Sequence, residues 1–165
     1  MELHHINLNK NNNYYIIMNN IKKEIYFSDL IGQRIDLVKI DMNGLENMHE
    51  YSIKPEFYEH FEYEPFKTIQ ETEKFLRNLI ELTNSGIRNT WFIKLKKENK
   101  MIGTFDVRNI NRKRLSAEVG YGISPNYWRH GFFSESLILV LRYMFLELNF
   151  YRIEAVCNNN NIASI

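Results

Sequence analysis

The sequence predicts an α+β domain whose sheet is antiparallel for most of its width and gains a parallel strand at its end. Three observations predict it. "TWFIKLK" and "MIGTFDVRNI" are strand-like runs joined by the polar "KENK", which reads as a hairpin, and "SAEVGYGI" follows a second polar turn, "NRKR". A run with helical periodicity then extends from Leu137 to Leu148. Finally "YRIEAVC" reads as a strand, and a strand reached through a crossover helix lies parallel to the one before it.

Residues 1–20 are asparagine-rich without an amphipathic period, so residues 1–27 are expected to form a loose extension and 28–165 a single domain. Met18 is a second possible start, and His4-His5, lacking further ligand residues, reads as polar surface rather than metal site. "RIDLVKI", Arg34 to Ile40, alternates as a half-buried strand does. Asp41 to Phe61 is less regular, a mixture of helix and loop carrying Tyr51, Phe57, Tyr58 and Phe61. Thr68 and Glu71 have capping-box spacing, Phe75, Leu76, Leu79 and Ile80 follow at helical spacing, and Gly86 can end that helix. In the later helix, Leu137, Val140, Leu141, Met144, Phe145 and Leu148 share one face, and the other is apolar enough to predict burial on several sides.

Composition narrows the function classes. A chain of 165 residues with 44% apolar and 25% charged content is ordinary for one soluble globular domain. The net charge of +1 offers no basic field for nucleic acid. A single cysteine, Cys157, excludes an internal disulfide, fits a reducing cytoplasmic setting, and in its apolar run reads as a small core residue. No uncharged apolar run reaches the ~18–20 residues of a membrane helix, and no signal-peptide pattern is present.

The stretch that carries chemistry is "NYWRHGFFSESL", residues 126–137. A strand, a tight basic turn with glycine and a helix start make a place for phosphate, because the first-turn N–H groups have no intrahelical partner and the helix dipole favours an anion. Gly131 permits positive φ and close approach of a ligand, and Arg129 and His130 add charge and donors. Equally open on local sequence is a plain turn glycine with Ser134 or Ser136 capping the helix.

The wider context resembles the GNAT superfamily of N-acetyltransferases, closest to the branch of ribosomal-protein N-terminal and small-amine acetyltransferases. Four elements carry the resemblance: Glu118-Val119-Gly120-Tyr121; Tyr127 to Phe132 with Ser134-Glu135; Arg152 to Val156; and Asn161-Ile162-Ala163-Ser164. It covers about residues 30 to 165, most specifically from Gly103 onward. The loop departs from the superfamily's general pattern at Trp128, which is normal for this branch, and at Phe133, which still offers its N–H.

The resemblance implies an acyl-CoA N-acyltransferase fold, a mixed central sheet with helices on both faces, and acetyl-CoA as co-substrate with no metal. It implies that the backbone of Tyr121, Gly122 and Ile123 binds the pantetheine arm, that Arg129, His130, Gly131, Phe132, Phe133 and Ser134 hold the pyrophosphate, and that Asn161 contacts pantetheine with Ser164 nearby. The implied reaction is direct attack of a primary amine on the thioester, with Glu118 as the candidate base; as an alternative, Glu118 serves as the cross-strand partner of a basic side chain. Glu46, Glu50, Glu56, Glu59, Glu62, Glu64, Glu71 and Glu73, against Lys54 and Lys67, would draw a cationic acceptor, a small amine or a peptide N-terminus, or else form a solvated helix face. Relatives continue past the position of Ile165 with one more helix and two strands; without them, Arg152 to Cys157 is expected to be an open edge, closed by a homodimer partner if by anything. A catalytically inactive CoA-binding or oligomerising remnant is therefore the second expectation. A nucleotide-binding α/β protein is a poor third, since no second phosphate motif follows.

Overall fold

The computed structural model describes residues 25, 27–61, 64–162 and 164. His4-His5, Met18 and Glu62 lie outside them. Six strands form one sheet in sequence order: β1 (Leu30–Ile31), β2 (Ile35–Lys39), β3 (Asn89–Leu95), β4 (Lys100–Asn111), β5 (Ser116–Ile123) and β6 (Arg152–Ala155). Every neighbouring pair is antiparallel except β5 and β6, which run parallel with Ser116 opposite Arg152. The hairpin, the polar turn and the parallel last strand thus stand where the sequence puts them. β1 is two residues long, too short to show a period.

Alternation sorts the strand side chains onto two faces. Trp91, Ile93, Phe105, Val107, Ala117 and Val119 pack with Val140 of α3 (Phe132–Arg142) and with Tyr143 and Met144 beyond it. Ile25 and Phe27 also reach this core, and the Phe27 ring stands edge-on to Trp91 at 5.6 Å, so packed chain begins inside the span assigned to the extension. Phe92 points the other way, into a core with Ile40, just past β2, with Met48 and Tyr51 from α1 (Leu45–Ser52), and with Leu76 and Leu79 from α2 (Ile69–Asn84).

At the start of α2, Thr68 accepts the N–H of Glu71 at 3.3 Å, one half of a capping box. The other half is displaced by one residue: the Glu71 carboxylate takes the N–H of Lys67 rather than that of Thr68. Gly86, at φ 69°, closes the helix: its N–H donates to Thr83 O and that of Ile87 to Leu82 O.

Two expectations are corrected. The last helix is not buried on several sides, for Ile138, Phe145 and Leu146 are 57%, 40% and 70% exposed. Part of the reason is a π turn over Tyr143–Glu147, in which Leu148 N–H donates to Tyr143 O at 3.0 Å; the added residue rotates Phe145 off the stripe that a regular helix would bury. Cys157 is exposed, not core, because β6 ends at Ala155 and the chain beyond it leaves the sheet.

Candidate active site

The site begins where two parallel strands part. Pairing of β5 with β6 runs from Ser116 opposite Arg152 to Val119 opposite Ala155 and then stops. Asparagine ends the strand: Asn158 accepts the N–H of Asn160 on its side chain and that of Asn161 on its carbonyl, both at 2.9 Å, a turn that leads the chain away. Gly120 to Ile123 therefore keep β4 on one side and face an open notch on the other. Asn161 and Ser164 lie beyond the notch, linked by Ser164 N–H donating to Asn161 O at 3.0 Å. The Tyr121 and Ser164 hydroxyls meet at 2.8 Å across it, and the Tyr121 ring stacks on Phe133 at 3.8 Å.

The loop after β5 supplies the second wall. Trp128 anchors it by donating its indole N–H to Ile123 O at 2.7 Å. Arg129 and Gly131 both take positive φ, 61° and 77°, which folds the chain tightly enough to aim the start of α3 toward the notch. Gly131 is the N-cap of α3 and no side chain caps it. Ser136, one of the two candidate caps, instead donates back to Phe132 O at 2.9 Å, and Ser134 is exposed. The simple capping alternative thus fails, and the backbone N–H groups at Phe132 to Ser134 have no side-chain acceptor.

Arg34, at the start of β2, braces this loop. It donates Nη1 to His130 O at 2.9 Å and Nε to Glu135 Oε2 at 2.8 Å, and its guanidinium lies 4.9 Å from the centre of the Phe132 ring. Glu135 also accepts the backbone N–H of Arg34. Partial burial would raise the Glu135 pKa, but the N–H groups and charge of Arg34, with the N–H of Ile35, bring it below its ordinary value. A Cβ on Gly131 would stand 3.4 Å from Arg34 Nη2. Arg34 lies far from the loop in sequence, and no local signal announces it.

The opposite face of β5, toward α1 and α2, carries the acid groups. Glu118 faces Arg108 across the β4–β5 pair and accepts its Nε at 2.8 Å, while Asn109 donates Nδ2 to the other carboxylate oxygen at 2.8 Å. Burial works to raise its pKa, but the hydrogen bonds from Arg108 and Asn109 and the Arg108 charge outweigh it and hold it low. A base needs the reverse. On the same face Asp106 lies opposite Gly120, 7% exposed, with Arg88 Nη2 2.8 Å from its Oδ2. Burial raises its pKa, against the charges of Arg88 and Arg108.

Above Gly122 an aromatic wall begins. A Cβ there would meet Phe57 Cζ at 2.7 Å, and Phe57 continues into Tyr51 at 5.0 Å, Tyr58 at 5.1 Å and Phe61 at 5.5 Å. Three of the clustered glutamates are already engaged: Glu50 with Lys100 at 2.6 Å, Glu73 with Arg77 at 2.7 Å, and Glu71 at the cap of α2. Glu46, Glu56, Glu59 and Glu64 are exposed.

A strand pair that splays beside an uncapped helix start leaves free backbone groups on two walls of one notch, and comparison with known proteins gives the family. Residues 34–165 match the family model of the acetyltransferase (GNAT) domain, and the chain belongs to that family of acetyl-CoA-dependent N-acetyltransferases. It is 29% identical over 136 residues to p20, an uncharacterized N-acetyltransferase of Bacillus licheniformis, covering 82% of this chain and 76% of that one. It is 32% identical over 140 residues to YoaA, an uncharacterized N-acetyltransferase of Bacillus subtilis, covering 84% and 78%. Its fold superposes on RimL, a ribosomal alpha-N-protein acetyltransferase solved with coenzyme A, at a TM-score of 0.74 with 20% identity over 83% of this chain and 78% of that one. Among the described residues no helix is long and apolar enough to cross a membrane.

Proposed function

We propose that this chain transfers the acetyl group of acetyl-CoA to a primary amine, a small cationic amine or a protein N-terminus, by direct attack on the thioester. The observation that carries the reading is the notch at Gly120 to Ile123 lying directly before the uncapped N-terminus of α3. Pantetheine lies along the free edge of Tyr121, Gly122 and Ile123 as an added strand, reached on its far side by Asn161 and Ser164. The pyrophosphate sits on the N–H groups of Gly131, Phe132, Phe133 and Ser134, with Arg129 and His130 supplying positive charge and donors. Because Tyr121 and Ser164 bridge the notch, their contact opens as the arm enters.

The amine comes from the α1 and α2 side, along the aromatic wall at Phe57. Exposed Glu46, Glu56, Glu59 and Glu64 give that side a negative field, which favours a cationic acceptor. Glu118 holds Arg108 in place at the floor of this side. Thiol release from acetyl-CoA, measured with spermidine, with a lysine-rich peptide and with an N-terminally blocked copy of it, tests the reading. Turnover with at least one free amine is expected; a chain that binds acetyl-CoA and turns over none of them contradicts it. A homodimer paired along β6, which among the described residues has β5 as its one partner strand, belongs to the same reading, and a monomeric mass in sedimentation equilibrium would remove it.

A further inference from the structure

We infer that Arg34 is a positioning residue for acetyl-CoA: it turns the chain's own negative groups at the start of α3 away from the phosphate site. The inference rests on the transferase reading above. It starts from Glu135. This residue lies one turn into α3, its N–H donating to Gly131 O at 3.1 Å, and it is the acidic residue of the first turn. An anion in a first turn is drawn by the same field that draws a phosphate there. Left to itself, Glu135 would compete with the ligand for that field and repel it.

The link between β1 and β2 takes the carboxylate instead. Oε1 accepts the backbone N–H of Arg34 at 2.7 Å and that of Ile35 at 3.3 Å, and Oε2 accepts Arg34 Nε at 2.8 Å. Gly32 makes the approach possible: a Cβ there would stand 3.0 Å from Glu135 Oε1 and 2.9 Å from Leu139 Cδ1. These three donors belong to Arg34 and Ile35 rather than to α3, so Glu135 is neutralised without drawing on the N–H groups at Phe132 to Ser134.

Arg34 acts on the loop backbone as well. Its Nη1 holds His130 O at 2.9 Å. In a trans peptide the carbonyl and the following N–H point to opposite sides, so a carbonyl drawn toward Arg34 sends the Gly131 N–H the other way. Arg129, just before this peptide, sits at φ 61°, a region that a residue other than glycine keeps only when its surroundings impose it. The grip on His130 O is one such constraint. A lysine could not replace it, because only the guanidinium fork reaches His130 O and Glu135 at once while lying against the Phe132 ring.

Calorimetric titration with acetyl-CoA, beside thermal melts and steady-state rates, tests the inference. Arg34→Met should weaken acetyl-CoA binding about 50-fold, since it frees a unit charge beside the phosphates and releases the loop. Glu135→Gln alone should change affinity less than about threefold, and adding it to Arg34→Met should recover about tenfold, because the released charge is then gone. Arg34→Lys, which keeps the charge and breaks fewer contacts should Arg34→Met not fold, should weaken binding about tenfold. In thiol release, Arg34→Met should raise KM for acetyl-CoA and leave kcat within about threefold. Its kcat/KM for S-acetylpantetheine, which carries the thioester and no phosphate, should likewise stay within about threefold. Unchanged affinity in Arg34→Met or Arg34→Lys, a double variant no better than Arg34→Met, or equal losses for acetyl-CoA and S-acetylpantetheine would each overturn the proposal. A wild type that does not bind acetyl-CoA would instead overturn the transferase reading beneath it.

Discussion

Gly131→Val is expected to abolish acetyl-CoA binding while leaving the protein folded. Gly131 sits at φ 77°, where an L side chain costs about 1–2 kcal/mol, and a β-branched one sits at the high end. Its Cβ would also stand 3.4 Å from Arg34 Nη2, and two methyl groups beyond Cβ press on the brace that holds the loop. The loop relieves both by turning over, which costs the fold little: a melting temperature lower by about 2–8 °C for a chain of this size. The ligand loses much more. N–H groups of the first turn of α3 then point away from the pyrophosphate, and losing two hydrogen bonds to a charged group, at about 1.5–3 kcal/mol each, weakens binding by about 3–6 kcal/mol, a hundredfold or more. Calorimetric titration of both proteins with acetyl-CoA, beside thermal melts, measures the two effects separately. Equal affinity in a folded Gly131→Val protein would refute the phosphate-loop reasoning.

Glu118→Gln is expected to leave kcat/KM for the amine within about threefold, since Glu118 is held ionised by Arg108 and Asn109; a loss of about a hundredfold at unchanged acetyl-CoA affinity would make Glu118 the base. Glu118 and Glu135 both have lowered folded pKa values, so their stabilising effect is present above their ordinary value of 4.5 and is lost as pH falls through the folded values. Denaturant melts between neutral pH and the acid range should show that loss, and Glu135→Gln should flatten it. An unchanged slope in the variant would mean that the Arg34–Glu135 contact does not bear on stability.

The elements that sequence made legible are those whose signal is local. Hydrophobic alternation marked β3, β4 and β5, and a helix between two strands dictated the parallel pairing of β5 with β6. Gly131 and the basic turn before it were ambiguous on local sequence, and it was the wider resemblance, from Glu118 to Ser164, that singled them out. What was hidden depends on contacts between distant parts of the chain. Arg34 looks like the first residue of an ordinary strand until β2 brings it beneath His130. Asp106 falls on the polar phase of β4, and nothing local says that it is buried in an ion pair with Arg88. The π turn after α3 shifted a stripe that period alone assigned to the core, leaving Phe145 at the surface. Cys157 sits in an apolar run, but its burial depended on a neighbouring strand that β6 does not have at that level.

The central claim is that the splayed end of β5 and the start of α3 together hold acetyl-CoA. Backbone amide NMR of the chain, titrated with acetyl-CoA, tests it most directly. The account predicts saturable shifts concentrated at Gly120 to Ile123 and at Gly131 to Ser134, with Ser164 following as its contact with Tyr121 opens. Saturable binding whose shifts fall elsewhere, or no shifts in a folded chain, would contradict it.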